Sequence, residues 1–292
     1  MDNLVVGLGE VLWDILPEGK KLGGAPANFA YHVSQFGLCG CVVSAIGPDP
    51  LGAEITDIFN AKGLAHSLPV VPFPTGTVKV NLDSNGIPEY DITENVAWDH
   101  IPFTPDLERI ARRARAVCFG SLAQRSPVSR DTIGRFLDAM PSGDDILKVF
   151  DINLRGHYYT KEILENSLIR CNILKINDEE LRELGSMFDI NSPDQREVCQ
   201  AILEKYDLRI LILTCGAVGS YVLTPEAWRF RQTPCVQVAD TVGAGDSFTA
   251  AFVASLLKGK SVGEAHSLAV ATSAHVCTCH GAMPALPPDI TR

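Results

Sequence analysis

The stretch Asp240-Thr241-Val242-Gly243-Ala244-Gly245-Asp246-Ser247-Phe248 sets two glycines, an acid and a helix start side by side. Glycines 243 and 245 carry no Cβ, so backbone N–H groups there can approach a ligand closely. Phe248, Phe252 and Leu256 recur on one face and predict a helix. Its first turn would add unpaired donors and a partial positive charge. Together these predict an anion site built without a cationic side chain. Asp246 would repel that anion unless it accepts a proton from an attacking hydroxyl. Phosphoryl transfer needs that pairing of fixed donors with a base. An isolated Asp reads as a helix cap; inside this string the base is the stronger reading.

Other chemistry-bearing residues fall at the ends of strand-like runs. Asp14 follows the first such run, in the crevice where α/β sheets bind ligands. Asp151-Ile-Asn153-Leu-Arg155 follows Leu147–Phe150, and the planar fork of Arg155 suits oxyanions. Thr214-Cys-Gly216-Ala-Val-Gly219 ends another run. Asn177-Asp-Glu-Glu180 reads as a helix N-terminus with an acidic first turn. No Gly-Lys-Ser/Thr follows a Gly-rich segment, which excludes a P-loop. Gly7-Leu-Gly9-Glu10 lacks the third glycine of a dinucleotide fingerprint. Cys277-Thr-Cys279-His280 lacks a second ligand pair at finger spacing and reads as small residues on or just after a buried helix.

The elements that must position these groups alternate. Buried strands are expected at 3–8, 41–46, 115–119, 147–151, 172–176 and 209–214. Helices are expected near 25–36, 51–62, 105–113, 128–139, 160–168, 178–185 and 194–205. Two more, rich in Ala, Ser and Thr, should close the chain at 245–258 and 262–278. The rhythm predicts an α/β fold with a mainly parallel sheet. It breaks at Thr77–Ile92, where Val78, Val80 and Leu82 alternate with polar residues before Asn85-Gly86. That is a hairpin signal, read as a projecting lid whose apolar face could pair with a second copy.

Composition sets the outer bounds. The chain has 292 residues, 46% hydrophobic and 21% charged, an ordinary globular profile. A formal net charge of −10 repels nucleic acid, and no basic block offsets it. The nine scattered cysteines resemble no disulfide framework. Met1-Asp2-Asn3 runs straight into an apolar strand pattern without a basic leader, and no apolar stretch reaches membrane-spanning length. Cytoplasm is therefore the expected location, with no membrane partner.

The string ending in Asp246-Ser247-Phe248 resembles the C-terminal signature of the ribokinase-like sugar kinases, the phosphofructokinase B type. Gly23-Gly24-Ala-Pro-Ala-Asn28 is similar to the family's Gly-Gly motif in its fructokinase form, and Gly47-Pro-Asp49-Pro-Leu-Gly52 to its Gly-x-Asp-x-x-Gly. Asn177–Glu180 is similar to Asn-x-x-Glu, and Thr214–Gly219 to the ATP-binding Thr-x-Gly-x-x-Gly. The resemblance covers the whole chain. It implies one ribokinase-like three-layer sandwich over 1–292, with a β lid from about 12–18 and 70–96.

It also implies roles. Asp246 would be the catalytic base, with the backbone of Gly243, Ala244 and Gly245 as the anion hole. Asp14, Gly23, Gly24 and Asn28 would hold the sugar, joined by Asn153, Arg155 and the lid residue Tyr90. Thr214, Gly216 and Gly219 would bind ATP, and Asn177 and Glu180 would meet Mg²⁺ through water. Asp240 lies where many members hold a monovalent cation such as K⁺; members that bind it often carry an oxygen ligand late in that loop, where this chain has Ala285.

The strings Gly9-Glu10-Val-Leu-Trp-Asp14, Ala97-Trp98-Asp99 and Asp151–Arg155 resemble fructokinases more than ribokinases. The resemblance thus implies transfer from ATP to a primary hydroxyl of D-fructose. Ribose or 2-keto-3-deoxygluconate as acceptor stays open, as does a non-catalytic sugar or nucleotide sensor on the same fold. A nicotinamide dehydrogenase would need the missing glycine fingerprint.

Overall fold

Strands form where β-branched and other apolar residues run unbroken, and helices begin where a side chain or a proline satisfies the first turn. The computed structural model describes residues 3–17, 19–82, 88–190 and 192–291, the side chains of 80–82 and 88–90 excepted. The chain opens with β1 (Leu4–Leu8), β2 (Leu12–Leu16), β3 (Gly19–Gly23) and helix α1 (Ala25–Gln35). Next come β4 (Cys39–Val43), α2 (Pro50–Ala61), β5 (Ala65–Ser67), β6 (Gly76–Leu82) and β7 (Pro88–Ile92). The middle holds α3 (Pro105–Arg113), β8 (Ala116–Phe119), α4 (Pro127–Ala139), β9 (Leu147–Asp151), α5 (Lys161–Arg170) and β10 (Ile173–Asn177). Then follow α6 (Asp178–Met187), α7 (Gln195–Lys205), β11 (Ile210–Thr214), β12 (Gly219–Thr224), β13 (Ala227–Gln232), α8 (Ala244–Leu257) and α9 (Val262–Cys277).

The main sheet has the order β13-β12-β11-β10-β9-β8-β1-β4-β5. Strands β11 to β5 pair in parallel, and the β11–β12 and β12–β13 pairings are antiparallel. From β1 the chain steps outward to β4 and β5, then returns to build the opposite half from β8. That reversal leaves a crevice beyond the carboxyl ends of β1 and β8, the usual ligand position of such sheets.

Side chains alternate across the sheet. Val6, Leu8, Val117, Phe119, Leu174 and Leu211 pack towards the α3–α7 layer. Val5, Cys118, Val149, Ile173 and Ile212 face α1, α8 and α9. On that second face the helices lie close, because Ala250, Ala251, Ala254, Ala265 and Ala269 are fully buried small residues. Gly7 on β1 is required for the same reason: a Cβ there would meet the Pro26 carbonyl oxygen at 2.0 Å.

The expected hairpin is β6 paired antiparallel with β7, but it is half of a separate four-stranded sheet, order β3-β2-β6-β7. Strands β2 and β6 join in parallel, so two stretches far apart in sequence are stitched together. Glu18 and the Asn85-Gly86 turn lie outside the described residues. The strand expected at 41–46 is shifted: it ends at Val43, and Ile46 makes only an isolated bridge to Val70. All nine cysteines are free. No described helix is long and apolar enough to cross a membrane.

Candidate active site

The site is built around the first turn of α8. Gly243 caps this helix in the left-handed region at φ 79, offering no side chain to the turn. A Cβ on Gly243 would sit 2.7 Å from the Ala282 carbonyl oxygen, so both conformation and contact demand glycine. The N–H groups of Gly243 and Gly245 have no hydrogen-bond partner among the described residues. The Ala244 N–H makes a long turn bond to Thr241 O, at 3.3 Å. The candidate anion hole therefore has two open amides and one held by the turn.

Asp246 stands beside these amides, half-buried, one turn into the helix. Asn28 Nδ2 donates to its Oδ2 at 2.8 Å. Burial, followed by the charge of Asp151, pushes the Asp246 carboxyl up to about 6, against the pull of Asn28, Lys175 and Arg155. A base poised there is ionised at neutral pH yet retains affinity for a proton.

Of the sugar-side candidates, Asn28 touches Asp246, and the charge of Arg155 acts on both Asp14 and Asp246. Asp14 on β2 leans against Gly23, where a Cβ would come within 2.6 Å of Oδ2. Its carboxyl is raised by burial, partly offset by Lys21 and Arg155. Gly24 caps α1 without a side chain at φ 116 and leads into the turn carrying Asn28. Asn153, in the loop after β9, holds a left-handed backbone at φ 44, a strained conformation for a residue other than glycine. Arg155 is exposed, and its guanidinium donates to the neighbouring Leu154 carbonyl at 3.0 Å. Its charge nevertheless reaches Glu10, Asp14 and Asp246. Tyr90 falls on β7, and its side chain lies outside the described residues.

Two charged residues were not singled out by sequence reasoning. Glu10 follows β1 and is only 3% exposed. Burial, opposed by nearby backbone amides and reinforced by Asp246, pushes its carboxyl up to about 7. Its Oε2 has no partner among the described residues, and neither has the Oδ1 of Asn28. Lys175 on β10 donates to both Asp151 oxygens at 2.9 Å. Each carried a signal: an acid between Leu8 and Val11-Leu12, and a lysine inside Ile173-Leu-Lys-Ile176.

Asn177 and Glu180 form a capping box on α6. Asn177 Oδ1 accepts from the Glu179 and Glu180 amides at 2.9 and 2.8 Å, while Glu180 Oε2 accepts from Asn177 N at 2.9 Å. The other Glu180 oxygen accepts from Leu154 N at 2.9 Å, tying the Arg155 loop to α6. Each carboxylate oxygen retains a lone pair, which fits outer-shell contact with a hydrated Mg²⁺ better than direct ligation. Asp240 accepts from Val242 N and Gly281 N, both at 3.1 Å, and clamps the loop before α8 to the segment after α9.

A cleft of about 680 Å³ opens beside the α8 turn. Its lining includes Asn177, Thr214, Gly216, Gly219, Ala244 and Gly245, so the nucleotide candidates share one surface with the anion hole. Val236, Val238, Phe248 and Val270 supply apolar walls.

Comparison with known proteins gives the arrangement a context. The pfkB family carbohydrate kinase profile matches residues 18–289. The fructokinase of Salmonella typhimurium is 28% identical over 306 aligned positions, covering 98% of this chain and 97% of that protein. The fructokinase of Xylella fastidiosa with bound ATP superposes with a TM-score of 0.86 at 21% identity, covering 98% and 96% of the two chains. A double-mutant fructokinase from Vibrio cholerae, solved with fructose, ADP and potassium, gives 0.81 at 22% identity over 98% and 96%.

Proposed function

Since the chain belongs to the pfkB family of carbohydrate kinases and is a phosphotransferase, we propose that it transfers the γ-phosphoryl group of ATP to a primary hydroxyl of D-fructose, giving fructose 6-phosphate. One observation carries the reading: the Asp246 carboxyl, bonded to Asn28, stands beside open amides at the end of a cleft large enough for a nucleotide.

The chemistry follows from that placement. ATP lies along Thr214, Gly216 and Gly219 with its phosphates towards the α8 turn. The sugar sits against Asp14, Gly23, Gly24 and Asn28, with Asn153 and Arg155 above it and Tyr90 contributed from the lid. Asp246 accepts the proton of the attacking hydroxyl. The amides of Gly243 and Gly245, with that of Ala244 released from its turn bond, hold the oxygens of the migrating group as its charge redistributes. Arg155, on an exposed loop, adds a fork-shaped donor to the same oxygens. Mg²⁺ arriving with the nucleotide would be held through water by Asn177 and Glu180 and would spread the phosphate charge.

A monovalent cation beside Asp240 belongs to the same reading. The potassium-bound Vibrio cholerae fructokinase supports it, as does the carboxylate that already joins the loops at Val242 and Gly281. Fructose is favoured because curated fructokinases align along nearly the full chain. The test is ADP release by the purified protein across fructose, ribose, 2-keto-3-deoxygluconate, adenosine and fructose phosphates, with K⁺ or Li⁺ present. Fructose should give the highest kcat/KM; a clear preference for another acceptor overturns the fructose assignment.

A further inference from the structure

Buried lysines are rare because desolvation disfavours their charge. Lys175 is 7% exposed and lies in the middle of the sheet. It occupies the face that Ile173 and Ile212 give to α8, in register with Asp151 on β9 and Ile212 on β11. Its ammonium donates to both Asp151 oxygens at 2.9 Å. Thr249 Oγ1, from the second turn of α8, donates to Asp151 Oδ2 at 3.1 Å. The ammonium also reaches the catalytic bend: a Cβ on Gly245 would lie 3.3 Å from Nζ. A positive charge therefore sits against the Gly245 position of the bend.

We propose that Lys175, clasped by Asp151 and Thr249 behind the Gly243–Asp246 bend, is a positioning residue for phosphoryl transfer, a fixed counter-charge acting through Gly245 and Asp246. A hydrophobic pair would fill the same space without the desolvation penalty of two charges. What the ion pair adds is a field at the bend that needs no reorganisation during the reaction. The Asp151 carboxylate, accepting from the ammonium through both oxygens, compensates the charge that burial would otherwise disfavour. In turn Asp151 raises the Asp246 carboxyl and Lys175 lowers it, Asp151 having the larger influence. The other groups facing Asp246 are Glu10 at the end of β1, Asn28 on α1, the Cys118 thiol on β8, and Arg155. Burial holds the Cys118 thiol well above its usual range.

The proposal rests on Asp246 being the base, and the test separates the two claims. The Asp246 carboxyl is titrated directly by ¹³C NMR in wild type and in Asp151→Asn, alongside the acid limb of kcat/KM. Removing Asp151 should move both to lower pH together. Lys175→Met should lose kcat on the order of 10- to 100-fold, less than the roughly 10²–10³ of a direct oxyanion donor, with KM for sugar and ATP nearly unchanged. Lys175→Arg should recover part of that loss. If a single variant fails to fold, Asp151→Asn/Lys175→Met buries no charge and should still lower the Asp246 titration and kcat. An Asp246 titration indifferent to Asp151, or a Lys175→Met loss confined to KM or to stability, overturns the proposal. If the NMR titration moves and the acid limb does not follow, the base assignment falls while the electrostatic link stands.

Discussion

Asn28 and Asp246 are 218 positions apart in sequence, yet their side chains meet at 2.8 Å. The bond joins the first turn of α1, which carries the sugar-side glycines, to the first turn of α8, which carries the anion hole. Two helix N-termini thus converge on one point, where the proposed function would bring acceptor hydroxyl and phosphoryl group together. The carboxylate takes its hydrogen bond from the residue that should also read the sugar, so acceptor binding and base orientation share one side chain.

Replacing Asp246 by Asn keeps shape and removes the proton acceptor. Turnover should fall about 10²–10⁴-fold, the usual contribution of a general base. ATP binding measured by calorimetry should remain near wild type. Turnover close to wild type would rule Asp246 out as the base.

The carboxyl at about 6 must be ionised to act. Its pKa is raised, so kcat/KM should climb as pH rises through about 6 and level off above it. The Asn28 hydrogen bond holds that value down. Asn28→Ala should therefore shift the climb to higher pH and raise KM for the sugar; a pH–rate profile of each variant checks both.

Glu10 ties folding stability to pH. Its carboxyl is raised from 4.5 to about 7 in the folded chain. The folded state therefore binds more proton than the unfolded state across that window, and stability falls as pH rises through it. Glu10→Gln removes the loss above the window and changes little below it. The gain at pH 8 should approach about 3 kcal/mol at most, since each tenfold change in proton affinity is worth about 1.4 kcal/mol. Thermal unfolding at pH 4.5 and pH 8 reads the difference; equal effects at both pH values would refute it.

Gly243→Ala should be damaging in two ways. The added methyl meets Ala282 atoms at 2.7 to 2.9 Å, and the backbone sits at φ 79. A strain of about 1–3 kcal/mol is expected, together with loss of kcat as the amides turn away. Unfolding curves and single-turnover rates test each part.

Much of this was legible from residue order. The Asp240–Phe248 string announced both the helix start and the acid, because glycine spacing and an apolar helical period are local signals. The parallel strands were legible too, since residues buried on both faces leave unbroken apolar runs. The short strands β2 and β3 of the second sheet carry mixed residues such as Gly19-Lys-Lys-Leu-Gly23, so that sheet depends on pairing with a distant β6. Strands β12 and β13 escaped for a similar reason: Ala227–Gln232 is largely exposed and is held by its partner strand. Glu10 and Lys175 were hidden because their importance lies in burial and in neighbours from other strands.

The stretch after α9 offers no acid, base or nucleophile to the reaction, yet it is fastened to the helix that carries Asn28. His32 Nε2 donates to the Ala282 carbonyl at 2.9 Å, Gln35 donates to the Pro284 carbonyl at 3.2 Å, and Leu286 N donates back to Gln35 at 2.7 Å. Ala282 in turn is the neighbour against which Gly243 packs. Trimming the final dozen residues, or fusing a bulky partner close to Ala282, would therefore unfasten the catalytic bend from behind while sparing every group that touches a substrate.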